Sequence, residues 1–191
     1  MTESTTRQII CRHFAELFSY PSAELTQRVA ACAALLRQDQ PAAGASLERF
    51  GTFMQNQSAS RIEEIFTATF DLQPVCHPYV GYQLCGENQQ RGMFLMQLNQ
   101  LYRRHGFVAG VELPDHLSTL LRFIGTLAPQ DCSRELIEDG LLPALAKILQ
   151  GLDAADHPYT DLLLSLQSFL AASLDTETEL PAAGRQKECC S

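Results

Sequence analysis

Apolar residues in this chain recur at helical spacing. Ile62, Ile65, Phe66, Thr69 and Phe70 follow the i, i+3, i+4, i+7, i+8 pattern of one buried helix face. Leu117, Leu120, Leu121, Ile124 and Ala128 make a second stripe, and Tyr159, Leu162, Leu163, Leu166 and Leu170 a third. Strict alternation over strand length, the mark of a half-buried β-strand, does not recur. Composition agrees: Leu and Ala number 49 against 12 for Val and Ile, a bias toward helix formers. The expected fold is all-α, a single compact helical domain of about eight helices.

Cap and breaker residues divide the chain. A first helix over about 5–18 ends at Tyr20-Pro21, because proline cannot continue it. Ser22 offers an N-cap oxygen for a second helix through about residue 38, and a short third helix follows Pro41. Ser60-Arg61-Ile62-Glu63 has capping-box spacing and opens a fourth helix that runs to Phe70. A fifth is expected over 87–105, stopped by Gly106, and a sixth from Pro114, with Asp115 at the positive end of its dipole. Two more are expected over 133–149, restarted at Pro143, and over 158–174 with Asp156 as N-cap. The domain is therefore placed at 1–174. The polar stretch 175–191 has no apolar stripe and reads as a disordered tail ending in Cys189-Cys190.

With 191 residues and a net charge of −8, the chain is long enough for one core and acidic overall. Phosphate neutralisation needs clustered Lys and Arg, and only Lys147 and Lys187 are lysines, so a nucleic-acid partner is not expected. Apolar runs stay far below the roughly 20 residues that cross a bilayer, and Met1-Thr2-Glu3-Ser4 does not begin a secretory signal. No membrane insertion and a cytoplasmic location are expected. Seven cysteines without a repeated short spacing suit reduced thiols rather than a disulfide framework.

Candidate chemistry is sparse. Cys76-His77, Cys85, His105 and His116 are metal-ligating types, yet no CxxC pair or HExxH helix organises them, so no metal and no cofactor are assigned. Neither a G-x-S-x-G elbow nor a glycine-rich phosphate loop is present, and an enzyme is not expected. The informative segments are 71–86, long for a helix connection and rich in Pro, Tyr, His and Cys, and Glu112-Leu113-Pro114-Asp115-His116-Leu117. Tyr79 and Tyr82 suit a recognition surface, being amphipathic rings in a loop. Glu112 and Asp115 read either as helix-start residues or as a rim that pairs with Arg or Lys of a ligand. Phe66, Thr69 and Phe70 read as core by periodicity alone, and Arg91, Arg103 and Arg104 as solvated helix charges.

Taken in order, residues 17–22 (LFSYPS), 64–72 (EIFTATFDL), Gly86-Glu87 with Arg91-Gly92, and 112–117 (ELPDHL) resemble the assembly chaperones of the respiratory nitrate reductase delta-subunit type. These stand within the wider family of chaperones for molybdenum oxidoreductases. The resemblance spans about residues 8–174. It implies an all-helical chaperone that binds the N-terminal leader peptide of the apo catalytic subunit, most readily nitrate reductase alpha. The subunit is then held for molybdenum cofactor insertion before export or membrane docking. By the same resemblance the peptide-binding positions fall on Phe66, Thr69, Phe70, Asp71, Tyr79, Tyr82, Glu112, Pro114, Asp115 and His116. Gly86, Glu87, Arg91 and Gly92 belong to the loop motif. Phe66, Phe70, Tyr79 and Tyr82 are assigned apolar contact and Glu112 and Asp115 charge, while His116 orients the rim or senses pH. The chain departs from the family pattern at Phe66, where relatives carry Tyr or Trp, and at Cys76-His77-Pro78.

Two other accounts fit the same domain. One is a helical protein that handles guanine nucleotide or molybdenum cofactor, with Glu112 and Asp115 on a guanine edge and no peptide bound. The other uses Cys76, Cys85 and the terminal cysteines for thiol or metal chemistry. A monomer and a dimer are both compatible with the sequence.

Overall fold

The structure, a computed structural model, describes residues 3–73, 76–127, 133–152 and 157–179. Ten α-helical segments follow in order: α1 (Glu3–Leu17), α2 (Leu25–Asp39), α3 (Pro41–Gln55), α4 (Ala59–Phe66), α5 (Val80–Cys85), α6 (Gln89–Arg104), α7 (Leu117–Ile124), α8 (Ser133–Glu135), α9 (Leu142–Gly151) and α10 (Pro158–Glu179). Eight of these are at least eight residues long, and no strand occurs among the described residues. The fold is all-helical, as the periodicity predicts.

α2 and α3 form an antiparallel hairpin joined by Gln40 alone, with Pro41 at the start of α3. Two glycines let the helices close on each other. A Cβ on Gly44 would lie 2.8 Å from Arg37 Cγ, and one on Gly51 would lie 2.8 Å from Val29 Cγ1. α10 packs on α3 and α9, while α1 packs on α2 and α7. All three stripes read from the sequence turn inward: Ile62, Phe66, Thr69 and Phe70, then Leu117, Leu120, Leu121 and Ile124, then Tyr159, Leu162, Leu163, Leu166 and Leu170 are buried, with Ile65 packed against the core. Ala128 and the expected Asp156 cap lie outside the described residues.

Two helices widen locally into π-turns. α4 continues through Thr67–Asp71, and α8 passes through Leu136–Leu141 into α9. The second widening directly precedes Pro143, whose missing N–H and ring exclude a continuous α-helical ladder there. π-turns of this kind frequently mark functional positions, and the first ends at Asp71, beside the loop singled out above.

Several helix boundaries differ from the sequence expectation, each for a local reason. Ser22 closes a turn ahead of α2, its Oγ accepting from Glu24 N at 3.4 Å, and α2 begins at Leu25. α3 is a full 15 residues. α4 is capped by Ser58, whose side chain accepts from Arg61 N at 3.3 Å while its carbonyl accepts from Ile62 N, so Ser60 sits inside the first turn. α6 starts at Gln89 because Asn88 Oδ1 takes the N–H groups of Gln90 and Arg91, at 2.8 and 3.2 Å. α7 starts at Leu117 instead of Pro114, since Pro114 and Asp115 lie in a turn closed by His116 N to Leu113 O, and His116 is held extended by the backbone bonds that tie residues 115 and 117 to residues 80 and 78. α10 runs to Glu179, beyond Leu174, and residues 180–191 lie outside the described residues.

Candidate functional site

The site is built where two non-helical segments cross. Val80 N donates to Asp115 O at 2.8 Å and Leu117 N to Pro78 O at 2.7 Å, which pairs Tyr79 with His116 in an isolated antiparallel bridge. The Tyr79 and His116 rings meet edge to face, 5.2 Å between centroids. This bridge brings the 71–86 loop against the ELPDHL segment.

Beneath it, Arg91 of α6 fastens both segments. Its Nε donates to Asp115 Oδ2 at 2.9 Å and its Nη1 to Glu87, while the guanidinium lies 5.4 Å from the Tyr79 ring centroid and 5.8 Å from that of Tyr82. Asp115 is fully buried and Arg91 nearly so, at 0% and 8% exposure. A charge so placed is tolerable only because it is paired. Gly81 leaves room for the pair: a Cβ there would come within 2.9 Å of Asp115 Oδ2 and 2.8 Å of Phe94 Cδ1. Tyr102 Oη donates to Pro114 O at 2.7 Å, and Arg122 Nη2 donates to Ala109 O, so side chains of α6 and α7 hold the 106–116 connection in place. On the far side of the loop, Lys147 Nζ donates to Gln83 O at 2.6 Å and closes the C-terminal end of α5. Gly86 follows with φ of +74°, a left-handed conformation that glycine adopts without strain.

A cavity of about 240 Å³ opens above the bridge. Phe18, Tyr20 and Phe66 form its aromatic side, and Pro78 and Tyr79 its loop side. Asp71, Glu112, His116, Ser118 and Ser19 supply polar groups. Tyr20 stands 59% exposed at the rim, edge-on to Phe66 with 5.8 Å between centroids. Asp71 and Glu112 are exposed and make no ion pair among the described residues, unlike Asp115. Burial pushes the Tyr79 phenol upward, the nearby Glu112 and Asp115 carboxylates add to that shift, and the Arg91 guanidinium opposes it. His116 is pulled below its ordinary pKa by burial, against the opposing pull of Glu112 and Asp115. Its Nδ1 accepts from Ser118 N at 3.2 Å, which makes this imidazole the N-cap of α7 in its neutral form.

The sequence-assigned residues divide into four groups. Phe66, Asp71, Tyr79, Glu112 and His116 meet at the cavity. Tyr82, Glu87, Arg91, Pro114 and Asp115 lie around the ion pair that supports it, with Asp115 buried and neutralised instead of standing on a charged rim. Thr69 and Phe70 face inward: Thr69 Oγ1 donates to Ile65 O at 2.6 Å and meets His157 Nε2 at 3.3 Å, and the Phe70 ring packs on Phe18 and Tyr159. Gly86 closes α5, and Gly92 lies exposed on α6. Phe18, Ser19, Tyr20, Pro78 and Ser118 line the cavity without having been assigned to it. The signal for the first three was the LFSYPS motif itself, whose helix-ending Tyr20-Pro21 leaves an aromatic ring at a helix terminus.

Among the described residues no group of three His, Cys, Asp or Glu is arranged to hold a metal ion. Cys11 and Cys32 are buried free thiols, and burial raises Cys11 to about 12, far from the range where a thiolate forms. The cavity also falls below the roughly 300–1,000 Å³ of pockets that enclose a drug-sized ligand. Its size suits a group no larger than one or two amino-acid side chains. No helix of the described residues is long and apolar enough to cross a membrane.

Comparison with known proteins agrees with the all-helical fold. The chain is 28% identical over 162 residues to a Bacillus subtilis (strain 168) protein named as a probable nitrate reductase molybdenum cofactor assembly chaperone, NarJ, covering 84% of this chain and 87% of that one. In fold it is similar to the crystal structure of a candidate redox enzyme maturation protein from Archaeoglobus fulgidus, with a TM-score of 0.58 and 20% identity over 86% of this chain and 93% of the other. The family model described as nitrate reductase delta subunit matches residues 36–165, more than half of the sequence, and the chain belongs to that family.

Proposed function

We propose that this chain is a cytoplasmic, non-catalytic chaperone for assembly of a molybdenum oxidoreductase, with nitrate reductase as the client, and that the cavity captures a basic side chain from the N-terminal segment of its catalytic subunit. The observation that carries this reading is the contrast between three carboxylates. Asp115 is buried and satisfied by Arg91, while Asp71 and Glu112 sit at the cavity with aromatic rings beside them and no cation. A guanidinium or ammonium group fits such a site, paired with carboxylate and stacked on a ring. Tyr20 and the 71% exposed Leu72 extend an apolar rim for the residues around that cation. An overall charge of −8 steers a basic segment toward the chain. Held in this way, the leader is withheld from export or docking while the subunit receives its molybdenum cofactor.

Titration calorimetry with synthetic N-terminal peptides of the organism's molybdenum-enzyme catalytic subunits tests the proposal. Micromolar or tighter binding to the nitrate reductase peptide is expected, weakened roughly tenfold by Glu112→Gln and by raised salt. Absence of binding to every peptide by folded protein overturns it.

A further inference from the structure

Phe66 and Asp71 both line the cavity, although they stand five residues apart on one helical segment. In a regular α-helix five residues turn through about 500°, which leaves the two roughly 140° apart around the axis. Asp71 would then fall outside the stripe that Phe66 shares with Thr69 and Phe70. The π-turn removes that mismatch. Its i→i+5 bond, Leu72 N to Thr67 O at 3.0 Å, admits one extra residue and brings Asp71 back toward the face of Phe66. Such a turn interrupts the α-helical ladder, and this one is held from outside its own helix. Thr69, at its centre, is buried, and its Oγ1 donates to Ile65 O at 2.6 Å, a bond to the preceding turn of the kind that bends helices. With its proton used there, the same oxygen meets His157 Nε2, 3.3 Å away, as an acceptor. The imidazole can donate because its Nδ1 accepts from Tyr159 N at 3.3 Å at the start of α10, which leaves the neutral ring's one proton on Nε2. Beside it the Tyr159 ring packs edge-on against Phe70 and Phe66, with 4.8 and 6.2 Å between centroids.

We propose that His157 is a positioning residue for the capture site: its bond to Thr69, 88 residues away in sequence, holds the π-turn that points Asp71 into the cavity. The inference rests on the chaperone reading above for what Asp71 meets, a cation of the leader segment. The hold on the π-turn depends on this chain alone. Asp71 is fixed from its other side as well, since its carbonyl oxygen lies 3.3 Å from His77 Nε2 on the cavity loop. A carboxylate placed in this way selects a basic side chain through its position and not only its charge.

Two substitutions separate the roles of the two ring nitrogens. His157→Asn keeps an oxygen that accepts from Tyr159 N but is too short to reach Thr69, whereas His157→Gln carries an amide N–H out to Thr69 and gives up the cap. In the free full-length chain, amide exchange at Leu72, the donor of the i→i+5 bond, should be about tenfold faster in His157→Asn and in Thr69→Val, and near the wild-type rate in His157→Gln. By calorimetry with the leader peptide, Asp71→Asn, His157→Asn and Thr69→Val should each lose about fivefold in affinity, with recovery in His157→Gln. Combining Asp71→Asn with His157→Asn should lose no more than either alone, because a carboxylate already turned away contributes nothing further. The inference is overturned if Leu72 exchange is unchanged in both His157→Asn and Thr69→Val, if His157→Gln behaves like His157→Asn, or if the two affinity losses add in full. Failure of the chaperone reading looks different: the leader peptide then fails to bind the wild type while Leu72 exchange still responds to both substitutions.

Discussion

The two ends of the molecule are held by different physics. Around α2, α3 and α10 the buried contacts are apolar and aromatic, and the ion pairs between these helices, Arg37 with Glu48 and Arg49 with Asp161, lie at the exposed surface. Phe14 lies 5.7 Å from Phe169 and Phe50 lies 5.3 Å from Tyr159 between ring centroids, and Ser165 Oγ spends its hydrogen bond on Ala43 O. Around the cavity, long polar side chains reach across the sequence to backbone groups and to one another. Arg91 meets Asp115, Tyr102 meets Pro114 O, Arg122 meets Ala109 O and Lys147 meets Gln83 O. The reason is the backbone. A helix satisfies its own N–H and C=O groups, so packed helices need only apolar faces, whereas the 71–86 and 106–116 segments carry polar backbone that something else must satisfy. The cavity therefore stands on a scaffold of ionic and hydrogen-bonded supports, and the interior between α2, α3 and α10 on hydrocarbon.

Removing one support should hurt most. Asp115→Ala leaves the nearly buried Arg91 guanidinium with only Glu87, and a loss of about 3–5 kcal/mol of unfolding free energy is expected by urea denaturation. Its effect on leader affinity should be the same at low and high salt, because Asp115 acts as a support and not as a rim charge. The double variant Arg91→Met/Asp115→Leu recovers most of the stability if the pair matters only for neutralising buried charge. Recovery of the fold without recovery of peptide binding would show that the guanidinium under Tyr79 and Tyr82 also sets the loop.

At the apolar end, Leu166→Ala on α10 should cost about 3 kcal/mol, since the side chain is wholly buried and its removal leaves a cavity. Below the melting transition it should leave peptide affinity at the wild-type value. Equal damage to affinity would mean that the two ends are mechanically one unit, and the contrast between them would fail.

The same contrast explains what could be read from the sequence. Leu117, Leu120, Leu121 and Ile124, or Tyr159 through Leu170, declare a buried face because helix contacts repeat every three or four residues. The positions at the cavity have no such repeat. Phe66, Asp71, Tyr79, Glu112 and His116 come from three segments and were assembled by resemblance to a family, not by period. The link from Arg91 to Asp115 spans 24 residues and leaves no local trace. Helix starts were misplaced where a tertiary contact overrode the local signal. Pro114-Asp115 is a good helix opening by itself, yet it stays a turn closed by His116 N to Leu113 O, and pairing with residues 78–80 holds His116 extended and passes the cap to it.

That transfer of the cap to an imidazole makes the last and mildest prediction, a dependence on pH. His116 Nδ1 accepts from Ser118 N, and His157 Nδ1 accepts from Tyr159 N at 3.3 Å at the start of α10, so each must stay unprotonated to serve. Burial lowers the pKa of both below the usual 6.5, and His13 shifts the same way through burial and its neighbour Arg28. The unfolded chain thus takes up protons first as pH falls through about 6.5, and the folded state only at lower pH. Stability is full above that value and declines below it, ahead of the carboxylate titrations near pH 4. His116→Asn keeps a capping oxygen and removes the titration. By hydrogen exchange at about pH 7.5 and 5.5 it should flatten the pH response of amides at the start of α7, leaving α10 responsive through His157. If both helices flatten together, the cavity end and the apolar end open as one cooperative unit. If only α7 does, the cavity end opens on its own, as the proposed capture and release of a peptide requires.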